Sequence, residues 1–342
     1  MSAKMNQLQN YLIFIALFLF SCNRSENLEW KNIPYEVKIE RFDQKLDSLS
    51  PELVENFHLE SKQQYPHFYK DFIENILGIA PLDEEAYIIE NLKEIAENGN
   101  FIKLMKDVQE KYPDLTPFEK EIEEAMKRLK YNLPHIDLPE KYISFASGFM
   151  VQNTLGVDYL GIGLDMFLGA DAPYYLEIMG SYPTYISRRF TAENIVPRVV
   201  ESYILMELTD EINIEDNFLT QAIEHGKTLY LLDLAIPETA DSIKIGYTQK
   251  HWEWAKKNER SIWDWFIQKT NIYSTDYLSY QKHFSEAPFT AELSRTDEAA
   301  PKLGVFIGWQ IVKSFMKNNP DFTIQEMLEF KDSQAFLNQS KY

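Results

Sequence analysis

The stretch Tyr182–Pro237, YPTYISRRFTAENIVPRVVESYILMELTDEINIEDNFLTQAIEHGKTLYLLDLAIP, holds two helical patterns around which the rest of the chain is read. From Asn194 to Leu208, the residues Ile195, Val196, Val199, Val200, Tyr203, Ile204 and Leu208 recur at helical spacing and predict a face laid on a core. Pro197 falls in the first turn, where a missing N–H costs nothing. Arg198, Glu201 and Ser202 occupy the other side. The second helix runs from Asn217 to Ile236, with Leu219, Ile223, Leu229, Leu232 and Ile236 apolar and Glu224 two residues before Gly226. If the helices pack side by side, Glu201 and Glu224 face each other. Close carboxylates raise one another's pKa and suit acid–base work or cation binding. Solvated or hydrogen-bonded acids are the plainer alternative.

Upstream, Tyr142–Gly148, Met150–Leu155 and Tyr159–Gly169 read as strands, with Gly156-Val157-Asp158 as a hairpin turn between the last two. Hairpin, helix, second helix is an order that resembles the core of zincin, thermolysin-like metallopeptidases. There the first helix supplies His-Glu-x-x-His and the second a glutamate as third zinc ligand. The first helix here has no histidine. The six histidines are His58, His67, His135, His225, His251 and His283, and no two lie three to five residues apart. The expected fold is therefore α+β and mostly helical, a zincin-like core with a small antiparallel sheet and a degenerate metal site. Glu201 and Glu224 are its candidate residues, with no metal, no cofactor and no catalytic residue. The other reading is a cryptic metal-dependent peptidase, or a peptide-binding protein, using Glu201 and Glu224.

The 342 residues are 45% hydrophobic and 14% aromatic, which supports a sizeable core, and a net charge of −19 offers no basic excess for nucleic acid. Residues 1–21 read as a signal peptide. Lys4 precedes ten apolar residues, Tyr11–Phe20, which span only about 15 Å as a helix, half a bilayer core. Leu19-Phe20-Ser21-Cys22 then resembles a bacterial lipobox, which makes Cys22 the lipidation site. An ordinary cysteine just after a secretory leader is the bland alternative. Removing Lys4 leaves 33 basic against 53 acidic side chains, a net of −20, so an anionic membrane repels the body and acyl chains such as palmitate must hold it. Cys22 is the only cysteine, so packing without a disulfide stabilises the fold. Residues 22–34 read as a lipidated tether and 35–342 as one large body, 35–133 mainly helical and 134–342 carrying the sheet and the core helices.

Along the body, Tyr35–Phe42 alternates as a strand, and Pro51 is placed to open a helix. Phe68, Phe72, Ile73, Ile76 and Leu77 stripe another, followed by Leu82–Glu97 and Phe101–Tyr112 with a stop at Asn98-Gly99-Asn100. Thr116 and Glu119 fit a capping box. Asp165 and Asp171 read as a turn, because their spacing does not make a calcium loop. Arg188, Arg189 and Arg198 suit an anion near a helix start, but a solvated surface is the commoner fate of arginine. Trp252, Trp263 and Phe266 read as core rather than as a partner-binding face. Pro301–Asn318 is an amphipathic helix in which Gly304 and Gly308 allow close approach, while Lys302, Gln310, Lys313 and Lys317 exclude a membrane span. Thr323 caps a last helix beginning at Ile324. Gly161-Ile162-Gly163 is no nucleotide loop, and no serine-nucleophile elbow occurs.

With these residues in place, the chain resembles the gliding-motility lipoprotein GldB family. The likeness rests on the lipobox at Cys22, Val37-Lys38-Ile39-Glu40-Arg41-Phe42-Asp43, Gly163-Leu164-Asp165-Met166-Phe167-Leu168-Gly169, Tyr185-Ile186-x-x-Arg189-Phe190, Val196-Pro197-x-x-Val200, Glu224-x-Gly226-Lys227-x-x-Tyr230 and the Gly304–Met316 helix. The resemblance implies a non-catalytic envelope component of gliding, partnered by the membrane through Cys22 and by other proteins of the gliding and secretion apparatus. On the zincin view, Glu224 takes the place of the third zinc ligand. Asn23, where an aspartate would hold a lipoprotein at the inner membrane, points to the outer membrane.

Overall fold

In a computed structural model of the chain, residues 28–177, 182–209, 216–286, 290 and 299–342 are described. The expected signal peptide, residues 1–21, the lipidation site Cys22 and residues 23–27 lie outside them. Helices of six residues or more are numbered in order.

A four-stranded sheet divides the interior. Strand β1 (Ile39–Arg41) pairs in parallel with β2 (Lys141–Phe145), and β2 in parallel with β4 (Tyr159–Gly163). Only β3 (Asn153–Leu155) is antiparallel, on the far side of β4. The sheet is thus mixed, and the expected antiparallel sheet is wrong in its direction. After β2 the chain turns back through Gly148 and Phe149, both left-handed with φ of 70° and 68°. The return leg β3 leaves a gap that β4 fills, so β4 runs alongside β2. The predicted hairpin between β3 and β4 is present.

The two central strands are buried on both faces, as parallel strands usually are. Tyr142, Leu160 and Ile162 point into the larger core, while Ile143, Phe145 and Tyr159 point into a smaller one. The smaller core is aromatic. Phe42 on α1 (Phe42–Asp47) lies edge-on to Phe68 and Phe72, with centroids 5.0 and 5.1 Å away. It is enclosed by α2 (Val54–Gln64), by α3 (Pro66–Asp71) with its π turn through Ile76, by α4 (Glu85–Glu97) and by α5 (Gly99–Lys111). Pro51 sits in a turn and α2 starts only at Val54. The Asn98 expected to stop one helix also starts the next, accepting hydrogen bonds from the N–H groups of Asn100 and Phe101.

Helix α6 (Thr116–Asn132) borders β1. No capping box forms at its start, because Asp114 accepts from the Thr116 N–H instead. Glu119 and Glu123 turn to the sheet, taking the N–H groups of Ile39 (2.9 Å) and Val37 (3.2 Å). Ile39 opens the edge strand β1 and Val37 lies two residues before it, and side chains that satisfy such N–H groups oppose edge-to-edge pairing. Trp30, in the turn Leu28–Asn32, packs beneath the Arg128 guanidinium at 4.3 Å. Trp30 falls within the stretch 22–34 expected as a tether, and its side chain is buried against α6.

In the larger core, α7 (Ile195–Tyr203) and α8 (Phe218–Ala235) match the two helices read from the sequence, α7 running on through a π turn to Leu208. Helix α9 (Gln249–Lys269) buries Trp263 and Phe266, and Trp252 packs on Phe306 and Trp309. Helix α10 (Leu303–Asn318) crosses α8 backbone to backbone. A Cβ on Gly308 would stand 1.6 Å from the Ala222 carbonyl oxygen, and one on Gly226 would stand 2.3 Å from the Gly308 oxygen. Thr323 and Glu326 close a capping box at α11 (Ile324–Glu329), which is not the last helix, since α12 (Ser333–Ser340) follows.

Candidate functional site

The sequence proposed that Glu201 and Glu224 meet across α7 and α8. The structure does not bring them together. Arg198 is nearly buried at 7% exposure, and its Nη1 forms an ion pair with Glu201, three residues on. Its Nη2 donates to the Lys244 carbonyl at 2.9 Å. These two residues and Ser202, which accepts from Asn153 Nδ2, line a cleft of about 460 Å³ beside β3.

Glu224 lines a different cleft, of about 440 Å³, with His135, Tyr203 and Glu207. Its Oε1 receives a hydrogen bond of 2.8 Å from Lys227 Nζ. Lys227 is fully buried, and the same Nζ donates to the Leu328 and Phe330 carbonyls, both at 3.1 Å. Burial pushes the Glu224 carboxyl up and Lys227 opposes the shift. The lysine thus fastens the connection between α11 and α12 onto α8. Among the described residues no group of three or more His, Cys, Asp or Glu side chains is placed to hold a metal ion.

Other polar sites went unread. Asp165, expected in a turn, is wholly buried at the end of β4, while Asp171 does lie in an exposed turn. The Asp165 carboxylate accepts from the N–H groups of Ser147 (3.1 Å) and Phe149 (2.6 Å), so it holds the left-handed reversal after β2 in place. Burial nevertheless pushes it up to about 6. Asp43, also buried, ties Arg41, Gln109 and Ser144 together at the end of β1. Both aspartates lie at the carboxyl ends of parallel strands, where open sheets commonly receive ligands. A cleft of about 460 Å³ opens there, lined by Leu46, Leu49, Phe72, Phe149 and Tyr174 among others.

Arg188, Arg189 and Arg198 are not a solvated surface. Arg188 Nη2 donates to the Gly246 carbonyl, and Arg189 Nη1 to Glu286 at 2.5 Å. Lys302, which starts α10 with a left-handed φ of 48°, reaches the same Glu286 oxygen at 2.6 Å. Burial pushes Lys302 down to about 8.

Fold and site together define a mostly helical α+β protein with a small mixed sheet, many of whose buried charged side chains are held by ion pairs or by backbone hydrogen bonds. Among the described residues no helix is long and apolar enough to cross a membrane. The chain belongs to the family described as gliding motility protein GldB, whose model matches residues 23–342. It is accordingly a gliding-motility component. No curated protein and no solved structure matches it.

Proposed function

We propose that the protein is a lipid-anchored, non-catalytic component of the gliding machinery, attached at the outer membrane through acyl chains on Cys22 and working by contact with other proteins of the gliding and secretion apparatus. The observation that carries the non-catalytic reading is that each candidate carboxylate is neutralised by a cation three residues away in its own helix, Glu201 by Arg198 and Glu224 by Lys227. A glutamate held this way is a strut, not a free base or ligand. The relation to zincin peptidases is part of the same reading, supported by the order of hairpin, α7 and α8 and by α7 packing on β3. Five residues separate Cys22 from Leu28, so the anchor holds the body within roughly 20 Å of the bilayer.

The test combines fractionation, gliding and metal content. Cys22→Ser is expected to release the protein from the membrane fraction and stop gliding. One equivalent of zinc in the purified full chain, lost on Glu224→Gln, would overturn the reading.

A further inference from the structure

We propose that the cleft between β3 and α7 binds the carboxylate of an organic acid whose remaining body is apolar. Four cations, Arg188, Arg189, Arg198 and Lys302, converge behind this cleft, and the two carboxylates Glu201 and Glu286 face them. Among the described residues this leaves two positive charges in excess, in a chain whose net charge is −19. Unneutralised charge withdrawn from water is expensive, so such an excess marks a place where a further anion lowers the free energy.

The hydrogen bonds show where the capacity lies. Glu286 Oε1 serves both Arg189 and Lys302. The Nε atoms of Arg189 and Arg198 are buried with no partner. Arg189 lines the cleft and is held in position from behind by Gly246, whose left-handed φ of 76° and missing side chain make room for it. A Cβ there would lie 2.6 Å from the guanidinium carbon. With Nη1 on Glu286 and Nε shut in against Gly246, a guanidinium fixed in this way has Nη2 left for a carboxylate oxygen.

The opposite walls select the rest of the ligand. Met166, Tyr182, Ile186 and Phe190 give the cleft an apolar side, and its volume of about 460 Å³ suits a small molecule or the last residues of a chain. Glu201 lines the same cleft and repels a second negative charge, which favours a monoanion over phosphate. A carboxylate of this kind comes from a free acid or from the C-terminus of a peptide. Strand β3, at the edge of the sheet among the described residues, flanks the cleft in either case.

The test is calorimetric titration of the full chain in detergent with N-acetylphenylalanine, its neutral amide, inorganic phosphate, and a six-residue peptide ending in phenylalanine with a free carboxylate. The acid is expected to bind at least about tenfold more tightly than the amide or phosphate. Arg189→Gln should lose that preference, and Arg189→Lys should keep part of it. Ile186→Trp, which fills the cleft and leaves every charge in place, should abolish binding with the melting temperature held; if Arg189→Gln does not fold, this variant decides. A peptide that binds more tightly than the acid assigns the site to a chain end, and one that binds no better assigns it to a free acid; both uphold the site. Equal binding of acid and amide, no binding of either, preferential binding of phosphate, or full binding by Ile186→Trp overturns it.

Discussion

Lys227→Met separates a structural Glu224 from a functional one. The substitution keeps an unbranched apolar side chain in a site with no solvent access and removes the ammonium that serves Glu224, Leu328 and Phe330 together. Breaking a buried pair by deleting one partner leaves the other charge uncompensated and costs about 3–5 kcal/mol. In the double variant Glu224→Gln/Lys227→Met no charge remains, and the unpaired carbonyls account for a smaller loss of about 1–3 kcal/mol. The double variant should therefore be more stable than Lys227→Met alone, although it carries one more substitution. Urea unfolding followed by tryptophan fluorescence measures both, since Trp263 and Trp309 lie in the affected core. The sign with pH is fixed too. Without the lysine the folded Glu224 carboxyl rises further above its unfolded value, so the folded state holds the proton more tightly and the deficit shrinks as pH is lowered through that window. Lys256→Met, which breaks an exposed pair with Glu259, should change stability by less than about 1 kcal/mol. If Lys227→Met unfolds within about 0.5 kcal/mol of the parent chain, the lysine is not a strut and the structural reading of Glu224 fails.

Gly308→Ala gains about 1 kcal/mol of helix propensity but meets the Ala222 backbone, so a net loss of about 1–2 kcal/mol is expected in the same urea assay, and a stabilised variant would show that α8 and α10 can part. Asp165, raised to about 6 from an ordinary 3.8, gives the folded state the tighter proton, so its contribution to stability is lost as pH rises through that interval, by roughly 3 kcal/mol; Asp165→Asn should flatten the slope between pH 4 and 6. Trp30→Ala should cost about 3 kcal/mol in thermal unfolding; an unchanged melting curve would return residues 28–34 to the tether.

What could be read from the chain was what neighbours in sequence decide. Helices α7, α8 and α10 follow from apolar spacing, the hairpin from Gly156-Val157-Asp158, and the cap before Ile324 from Thr323. The direction of the sheet did not follow, because β1 is joined to β2 by about a hundred residues and strand patterns do not encode the partner's direction. Nor did the arginine cluster, assembled from separate stretches around Arg188, Arg198, Glu286 and Lys302. The pairing of Glu201 and Glu224 was misjudged although the signal was present. Arg198 and Lys227 stand three residues from them, the spacing at which opposite charges meet on one helix.

The anion cleft has a consequence that tells it apart from a surface arginine patch. An acid approaching a chain of net charge −19 is repelled by the whole body and attracted only near its end point, by cations that are mostly withdrawn from water. Salt acts unequally on these two forces. Between 0.01 and 0.15 M the screening length falls from about 30 Å to about 8 Å, which removes most of the body's repulsion and leaves contacts at hydrogen-bond distance to partly buried arginines less affected. The association rate of N-acetylphenylalanine should therefore rise with salt over this range and its affinity hold or improve, whereas exposed arginines would lose affinity as their attraction is screened. Stopped-flow and calorimetric titrations at the two ionic strengths measure both quantities. A steep fall in affinity with salt would mean that the acid meets its arginines in open solvent and not in the cleft beside β3.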